Sequence, residues 1–231
     1  MPPNMIAIDG PVASGKSSIG KRLADQLGYL FFDTGVMYRA VTFLVLRELG
    51  TAQDSAAVTA LALQAHIDVL PPSVADGRDC TILAGVAGQP AEDITWAARG
   101  KDVESSVSLV AAVQEVRRVL TEKMRSVGLR GRVVMVGRDV GTVILPEADL
   151  KIFLTASVET RARRRYDEVQ ARGENRPYED IVANLRERDR IDSSRAIAPL
   201  RPAPDAILLD TTDLGLEAVI EAIEALVAVR P

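Results

Sequence analysis

The sequence has one cysteine and one histidine, and it has no apolar run of about 18 residues, the length that a membrane-spanning helix needs. A lone Cys80 cannot form an internal disulfide, which is typical of a cytoplasmic protein. The first residues lack a basic segment followed by an apolar one, so we expect no signal peptide. These absences together favour a cytoplasmic location and no association with a membrane.

A concentrated excess of basic residues is also missing. The net charge of −4 argues against a nucleic-acid polymer as partner, because such binding needs a strongly basic face. Lysine is scarce as well, with 5 lysines against 23 arginines. Arginine binds phosphate through two parallel hydrogen bonds, so the positions of the arginines carry information. The length of 231 residues suffices for one sizeable domain with insertions.

Strand and helix patterns alternate along the chain. Apolar runs predict strands at residues 5–9, 30–32, 132–136, 151–154 and 205–209, and helical spacing predicts helices at residues 18–27, 37–49, 103–127, 157–172, 178–194 and 216–229. The run at 132–136 has no polar alternation after its first residue, which suits a strand buried on both faces. Residues 51–103 differ in composition, with β-like pieces at 66–70 and 81–83, and we interpret them as an insertion. The alternation predicts an α/β fold with a parallel sheet between helices.

Residues 10–17, GPVASGKS, fit the phosphate-loop pattern G-x-x-x-x-G-K-[ST]. Such a loop wraps a polyphosphate with backbone N–H groups, and the helix that follows presents its positive end to the phosphates. Lys16 would supply a charge between the β- and γ-phosphates, and Ser17 would offer its hydroxyl to Mg²⁺. The predicted nucleotide-binding residues are Gly10, Pro11, Val12, Ala13, Ser14, Gly15, Lys16, Ser17 and Ser18.

Other motifs narrow the class of phosphate-loop protein. A GTPase needs an N-K-x-D segment, and the sequence contains no Asn-Lys pair. Large ATPases need more chain, whereas a small kinase fits the length. A kinase of another small metabolite, such as shikimate, would carry a G-G-G signature, and no Gly-Gly pair exists. A regulator that binds nucleotide without turnover would not need the many arginines described next.

Phosphoryl transfer needs a second anion site and cations around the travelling group. Arg188, Asp192 and Arg195 lie at i, i+4 and i+7 of a predicted helix, so they share one face, while Asp189 and Arg190 are predicted to point outward. Arginines also crowd the start of the preceding helix, and the two helices with their polar turn are typical of a lid that closes over anions. Asp139 follows the buried strand and has two interpretations: it holds Mg²⁺, or it accepts a hydrogen bond from a substrate amine.

Five segments together resemble the bacterial cytidylate kinase family, from about residue 6 to the last helix. They are GPVASGKSS, FDTGVMYR, ITWAARGKDVESSVSLVAAV, VGRDVGTVILPEADLKIFL and ERDRIDSSRAIAPL. The resemblance implies a single phosphate-loop NTPase domain of three layers with a central parallel sheet. It further implies a CMP-binding insertion at about 51–103 and a short helical lid at about 157–178.

The same resemblance implies a reaction and roles for single residues. ATP, with Mg²⁺, would phosphorylate CMP or dCMP to the diphosphate, and the enzyme would be a monomer. Ser108, Arg117 and Asp139 would contact the cytosine, and Arg39, Arg138 and Arg188 the CMP phosphate. Asp192 would contact the sugar with Arg188, and Arg195 and Arg99 would lie near the same substrate. Lys16, Arg161 and Arg165, with Arg138 and Arg188, would stabilise the transferring group. The remaining predicted substrate-binding residues are Thr34, Gly35 and Tyr38.

Overall fold

The computed structural model describes residues 2–229, which divide into two compact units. The core unit comprises the residues up to Asp33 and those from Met124 onward, and the insert unit is Thr34–Lys123. Across the described residues, none of the helices combines the length and the apolar character needed to cross a membrane.

A five-stranded parallel sheet forms the centre of the core unit. Its strands are β1 (Met5–Asp9), β2 (Leu30–Asp33), β6 (Val133–Gly137), β7 (Leu150–Thr155) and β8 (Ile207–Asp210), in the order β2-β6-β1-β7-β8. The core unit also contains the helices α1 (Lys16–Leu27), α6 (Val158–Ala171), α7 (Tyr178–Ser194) and α8 (Leu216–Val229). The predicted α/β class with a parallel central sheet is therefore confirmed.

Side chains on both faces of the central strands of this sheet are buried. On one face, Ile6 and Ile8 of β1 share an apolar cluster with Ile19 of α1 and Ile223 of α8. Between them Ala7 is also fully buried, and every residue of β6 is buried. The prediction of a strand buried on both faces is thus confirmed, although β6 begins one residue later than predicted. A continuous apolar strand of this kind is stabilised because its side chains on both faces of the sheet are removed from water.

The insert unit contains its own small antiparallel sheet and several helices. Strands β3 (Ala65–Leu70), β4 (Thr81–Val86) and β5 (Glu92–Asp93) pair in the order β3-β4-β5. The helices are α2 (Gly35–Leu49), α3 (Ser55–Gln64), α4 (Lys101–Val110) and the first part of α5 (Gln114–Gly128), and a short 3₁₀ turn spans Ala97–Arg99. The two β-like pieces of the Ala-rich segment are confirmed as strands.

One helix prediction is wrong, because residues 103–127 form two helices instead of one. Helix α4 ends at Val110 and α5 begins at Gln114. The Arg117 guanidinium, only 3 % exposed, donates from Nη1 to the carbonyl oxygen of Ala111 at 3.0 Å. A carbonyl at a helix end otherwise lacks a partner inside the helix, so this bond stabilises the break.

Candidate functional site

The loop between β1 and α1 has the backbone of a phosphate-binding loop. Gly10 has a φ of 154°, and a Cβ at this position would lie 2.2 Å from the carbonyl oxygen of Leu154, so only glycine fits. Gly15 caps α1 in a left-handed conformation, with a φ of 90°. Helix α1 starts at Lys16 and presents its N-terminal N–H groups to the loop. The hydroxyl of Ser14, which is fully buried, has no hydrogen-bond partner among the described residues.

Lys16 lies buried inside this loop. Its ammonium group donates a hydrogen bond to the carbonyl oxygen of Pro11 at 2.7 Å. Burial, followed by the positive charge of Arg138, holds the pKa of Lys16 well below its ordinary value. The carboxylates of Asp33, Asp9 and Asp192 oppose this change, and an anion bound beside Lys16 would likewise favour the charged form of the lysine.

A hydroxyl and a carboxylate lie side by side at the start of α1. Ser17 Oγ donates to Asp33 Oδ2 at 2.8 Å, and Asp33 is the last residue of β2. Within residues 2–229 no group of three His, Cys, Asp or Glu side chains is placed to hold a metal ion. Mg²⁺ is commonly held by only one or two protein oxygens, with waters and phosphate oxygens completing its shell. Ser17 and Asp33 fit this kind of ion.

The end of β6 leads into a single π-helical turn at Val140–Ile144, directly after Asp139. Asp9, at the end of β1, accepts the N–H of Val140 at its Oδ1 and the N–H of Gly141 at its Oδ2, both at 2.8 Å. Burial raises the pKa of Asp9 to about 6, although these two hydrogen bonds oppose the change. Asp139 itself is 2 % exposed, so the carboxylate that follows β6 is buried as well.

Three arginines surround Asp192 of α7. Arg138 Nε donates to Asp192 Oδ2 at 3.0 Å, and Arg195 pairs with Oδ1 of the same carboxylate. Burial alone would raise the pKa of Asp192, but the positive charges of Arg138, Arg195 and Arg188 outweigh it and lower that pKa below its ordinary value. Arg188 and Asp192 are buried on one face of α7 as predicted, whereas Arg195 follows the last helical residue, Ser194, and reaches Asp192 from outside the helix.

The prediction that Asp189 points outward is wrong, whereas the same prediction for Arg190 is correct. Arg190 pairs with Glu187 on the exposed surface of α7. Asp189 instead forms a two-pronged ion pair with Arg161 of α6, with distances of 3.1 and 2.5 Å. Helical register in the sequence places Asp189 on a different face of α7 from Arg188. It does not reveal that α6 supplies a partner on that face. Arg165, also on α6, pairs with Glu168 at 2.9 Å.

The insert unit holds the other predicted substrate residues. Tyr38 and Arg117 are buried, and the Arg117 guanidinium carbon lies 5.2 Å from the centre of the Tyr38 ring. Ser108 is buried in the last turn of α4. Arg99 lies over the Trp96 ring at 5.2 Å. Thr34, Gly35 and Arg39 belong to the first turns of α2, where Thr34 is the N-cap residue.

Three carboxylates that lie beside predicted site residues were not themselves among the predicted ones: Asp9, Asp33 and Asp189. Asp9 and Asp33 end the first two strands, and that position offered a signal, since side chains at the carboxyl ends of parallel strands meet at one edge. Asp189 offered none, because its partner Arg161 lies 28 residues earlier in the sequence.

Comparison with known proteins agrees with the resemblance found in the sequence. The family model described as cytidylate kinase matches residues 6–228. A cytidylate kinase of Herpetosiphon aurantiacus is 48 % identical over 99 % of this chain and 96 % of its own length. Relatives with the same name from Chloroflexus aggregans and Roseiflexus castenholzii are 50 % and 46 % identical, over 90 % and 99 % of this chain and 86 % and 95 % of their own lengths.

Proposed function

Since the chain belongs to the cytidylate kinase family, a family of phosphotransferases, we propose that it transfers the γ-phosphoryl group of ATP to CMP and to dCMP. The observation that carries this proposal is the cluster of Arg138, Arg188 and Arg195 around the buried Asp192, in the same unit as the phosphate loop. Guanidinium groups bind a phosphate monoester through parallel charge-assisted hydrogen bonds, so three of them gathered around one carboxylate favour such a ligand.

The residues divide into roles by their chemistry. The loop at residues 10–18 binds the ATP phosphates through backbone N–H groups, with Lys16 at the transferring phosphoryl. Arg138 and Arg188 bind the CMP phosphate, with Arg39, and Asp192 binds the sugar. An oxygen of the CMP phosphate is already a nucleophile at neutral pH, so positioning and neutralisation of charge provide the catalysis. The lid arginine Arg165 neutralises charge on the same group.

Mg²⁺ would be held by Ser17 and Asp33 and would neutralise charge on the ATP phosphates. Recognition of cytosine is assigned to Asp139, Ser108 and Arg117. A buried Asp139 accepts a hydrogen bond from the exocyclic amine of cytosine, whereas uracil offers a carbonyl oxygen there and leaves the carboxylate without a donor. We further propose that the enzyme acts as a monomer in the cytoplasm.

The test is a coupled assay of ADP release with CMP, dCMP, UMP, AMP and GMP as acceptors. We expect CMP and dCMP to turn over fastest, and the proposal fails if CMP is used no faster than AMP or GMP. In the Arg188→Ala variant, turnover should fall by about 100-fold or more, because a donor to the phosphate is lost. ATP affinity should stay within about twofold, since Arg188 is assigned to the acceptor.

Arg190→Ala is the matched control, because Arg190 lies on the same helix and its ion pair with Glu187 is exposed. Surface changes of this kind have small effects, so its turnover should remain within about twofold of the wild type. Equal losses in the two variants would show that the charge of α7 matters in general and would contradict the assignment of Arg188.

A further inference from the structure

Every nitrogen of the Arg161 guanidinium is hydrogen-bonded within the core unit. Nε donates to the carbonyl oxygen of Ala156 at 3.1 Å, and Nη1 donates to the carbonyl oxygen of Val12 at 3.1 Å. Nη1 and Nη2 also donate to the two carboxylate oxygens of Asp189. A two-pronged pair fixes the plane of a guanidinium group, so Asp189 determines where Arg161 points.

The bond from Arg161 to Val12 reaches the phosphate loop at its strained residue. Ala13 has a φ of 59°, a left-handed conformation that costs free energy for any residue with a Cβ. The carbonyl of Val12 and the N–H of Ala13 belong to one planar peptide group. Holding that carbonyl therefore restricts the rotation that would relax Ala13.

Apolar packing supports the same contact between the helices and the loop. Val12 and Ala13 pack against a small buried cluster of Ala162 on α6 with Ile181 and Leu185 on α7. The side chain of Asp189 is 24 % exposed and that of Arg161 only 4 %, so the pair lies at the edge of this packing and is partly shielded from water. An ion pair in such a position is screened less than one on the surface.

We propose that Asp189 is a positioning residue for ATP binding. It directs Arg161 onto the carbonyl of Val12, and this contact keeps Ala13 in the left-handed conformation from which the loop binds phosphates. Arg161 then acts through the loop as well as through its charge. This inference rests on the proposed function only in identifying the phosphate ligand as ATP.

The first test is the Asp189→Asn variant, which keeps the size of the side chain but removes its charge and offers the guanidinium only one acceptor oxygen. We expect calorimetry with ATP and Mg²⁺, in the absence of CMP, to show affinity about tenfold weaker than in the wild type. The KM for ATP should rise accordingly, while the KM for CMP should stay within about twofold. An unchanged ATP affinity would overturn the inference.

A second variant separates positioning from general loss of structure. Glycine adopts a positive φ without strain, so Ala13→Gly should reduce the effect of Asp189→Asn when the two are combined. A purely structural role of Asp189 predicts the same loss of ATP affinity with alanine or glycine at position 13, and that result would overturn the inference. Arg190→Ala, on the exposed side of the same helix, is the control and should keep ATP affinity.

Two complications have their own tests: the Asp189→Asn variant does not fold, or the proposed function itself fails. If Asp189→Asn does not fold, Arg161→Lys provides the same test, because an ammonium group cannot hold both carboxylate oxygens in a fork. Weakened ATP affinity in that variant supports the inference, and unchanged affinity overturns it.

If the wild type binds ATP but does not phosphorylate CMP, the proposed function fails while the binding test still decides the role of Asp189.

Discussion

At the scale of single residues, Asp9 connects two parts of the binding edge of the core unit. It is the last residue of β1, it directly precedes the phosphate loop, and its carboxylate accepts the N–H groups of Val140 and Gly141. These two residues begin the turn that follows Asp139. One buried carboxylate thus fixes the backbone beside the residue that we assign to the cytosine amine.

Asp9 should also make stability depend on pH. Its folded pKa of about 6 lies above the ordinary 3.8, chiefly because of burial and against the opposing effect of Lys16. The protonated form is therefore favoured by folding, so its contribution is complete below pH 4 and is lost as the pH rises through 6. Between pH 8 and pH 5 we expect this residue to add about 1 kcal/mol to the free energy of unfolding.

Urea unfolding of the wild type and of Asp9→Asn at several pH values would check this. The asparagine variant should be less stable throughout, because its amide group faces a backbone N–H donor. Its stability should also gain about 1 kcal/mol less than that of the wild type on acidification from pH 8 to pH 5. Two curves that run parallel over this range would contradict the raised pKa of Asp9.

At the scale of secondary-structure elements, helix α1 approaches the sheet very closely at Gly20. A Cβ at this position would lie 2.5 Å from Val136 Cγ1 of β6 and 3.3 Å from Phe31 Cε2 of β2. Val136 is fully buried, so it has little room to move away. This close packing sets the distance between the sheet and the helix that begins at Lys16.

The Gly20→Ala variant should therefore be less stable, even though alanine is the better helix former. Alanine gains about 1 kcal/mol in a helix interior, whereas overpacking a tight core costs about 1–3 kcal/mol. We expect a net loss of about 1–2 kcal/mol in urea unfolding. Gln26→Ala, an exposed change on the same helix, should stay within about 0.5 kcal/mol of the wild type. A stabilised Gly20→Ala variant would show that helix propensity outweighs the contact.

The elements of the core unit were predictable because their apolar runs and helical spacing are strong local signals. Two features of the insert unit were not predicted. Helix α3 was missed, although Asp54 is its N-cap and accepts the N–H groups of Ala56 and Ala57. That cap stands before an Ala-rich run, so the signal was present in the sequence. The break before α5 carries no glycine or proline, and it depends on a contact from Arg117 that spacing alone does not reveal.

At the scale of the whole molecule, the order of the strands explains why the motifs of the core unit work together. β1 is central, with β6 on one side and β7 on the other, and the loop that follows it leaves the sheet between the two. Ligands of open parallel sheets bind outside the carboxyl ends of strands at such a point. Motifs predicted the phosphate loop and the arginines of α7, but no local pattern specifies strand order or the pairing of Asp189 with Arg161.

The proposed separation of the donor site from the acceptor site predicts separate effects of the two ligands on the stability of the whole chain. A non-hydrolysable ATP analogue with Mg²⁺, or CMP, at about 100 times its Kd should each stabilise the folded state by about 2.7 kcal/mol. For a chain of this length that corresponds to about 5–10 °C in thermal unfolding followed by circular dichroism. Lys16→Ala should lose the shift caused by the ATP analogue and keep the shift caused by CMP, because Lys16 serves the phosphate loop. Arg188→Ala should show the reverse. Loss of both shifts in either variant would contradict the division of the two sites between these residues.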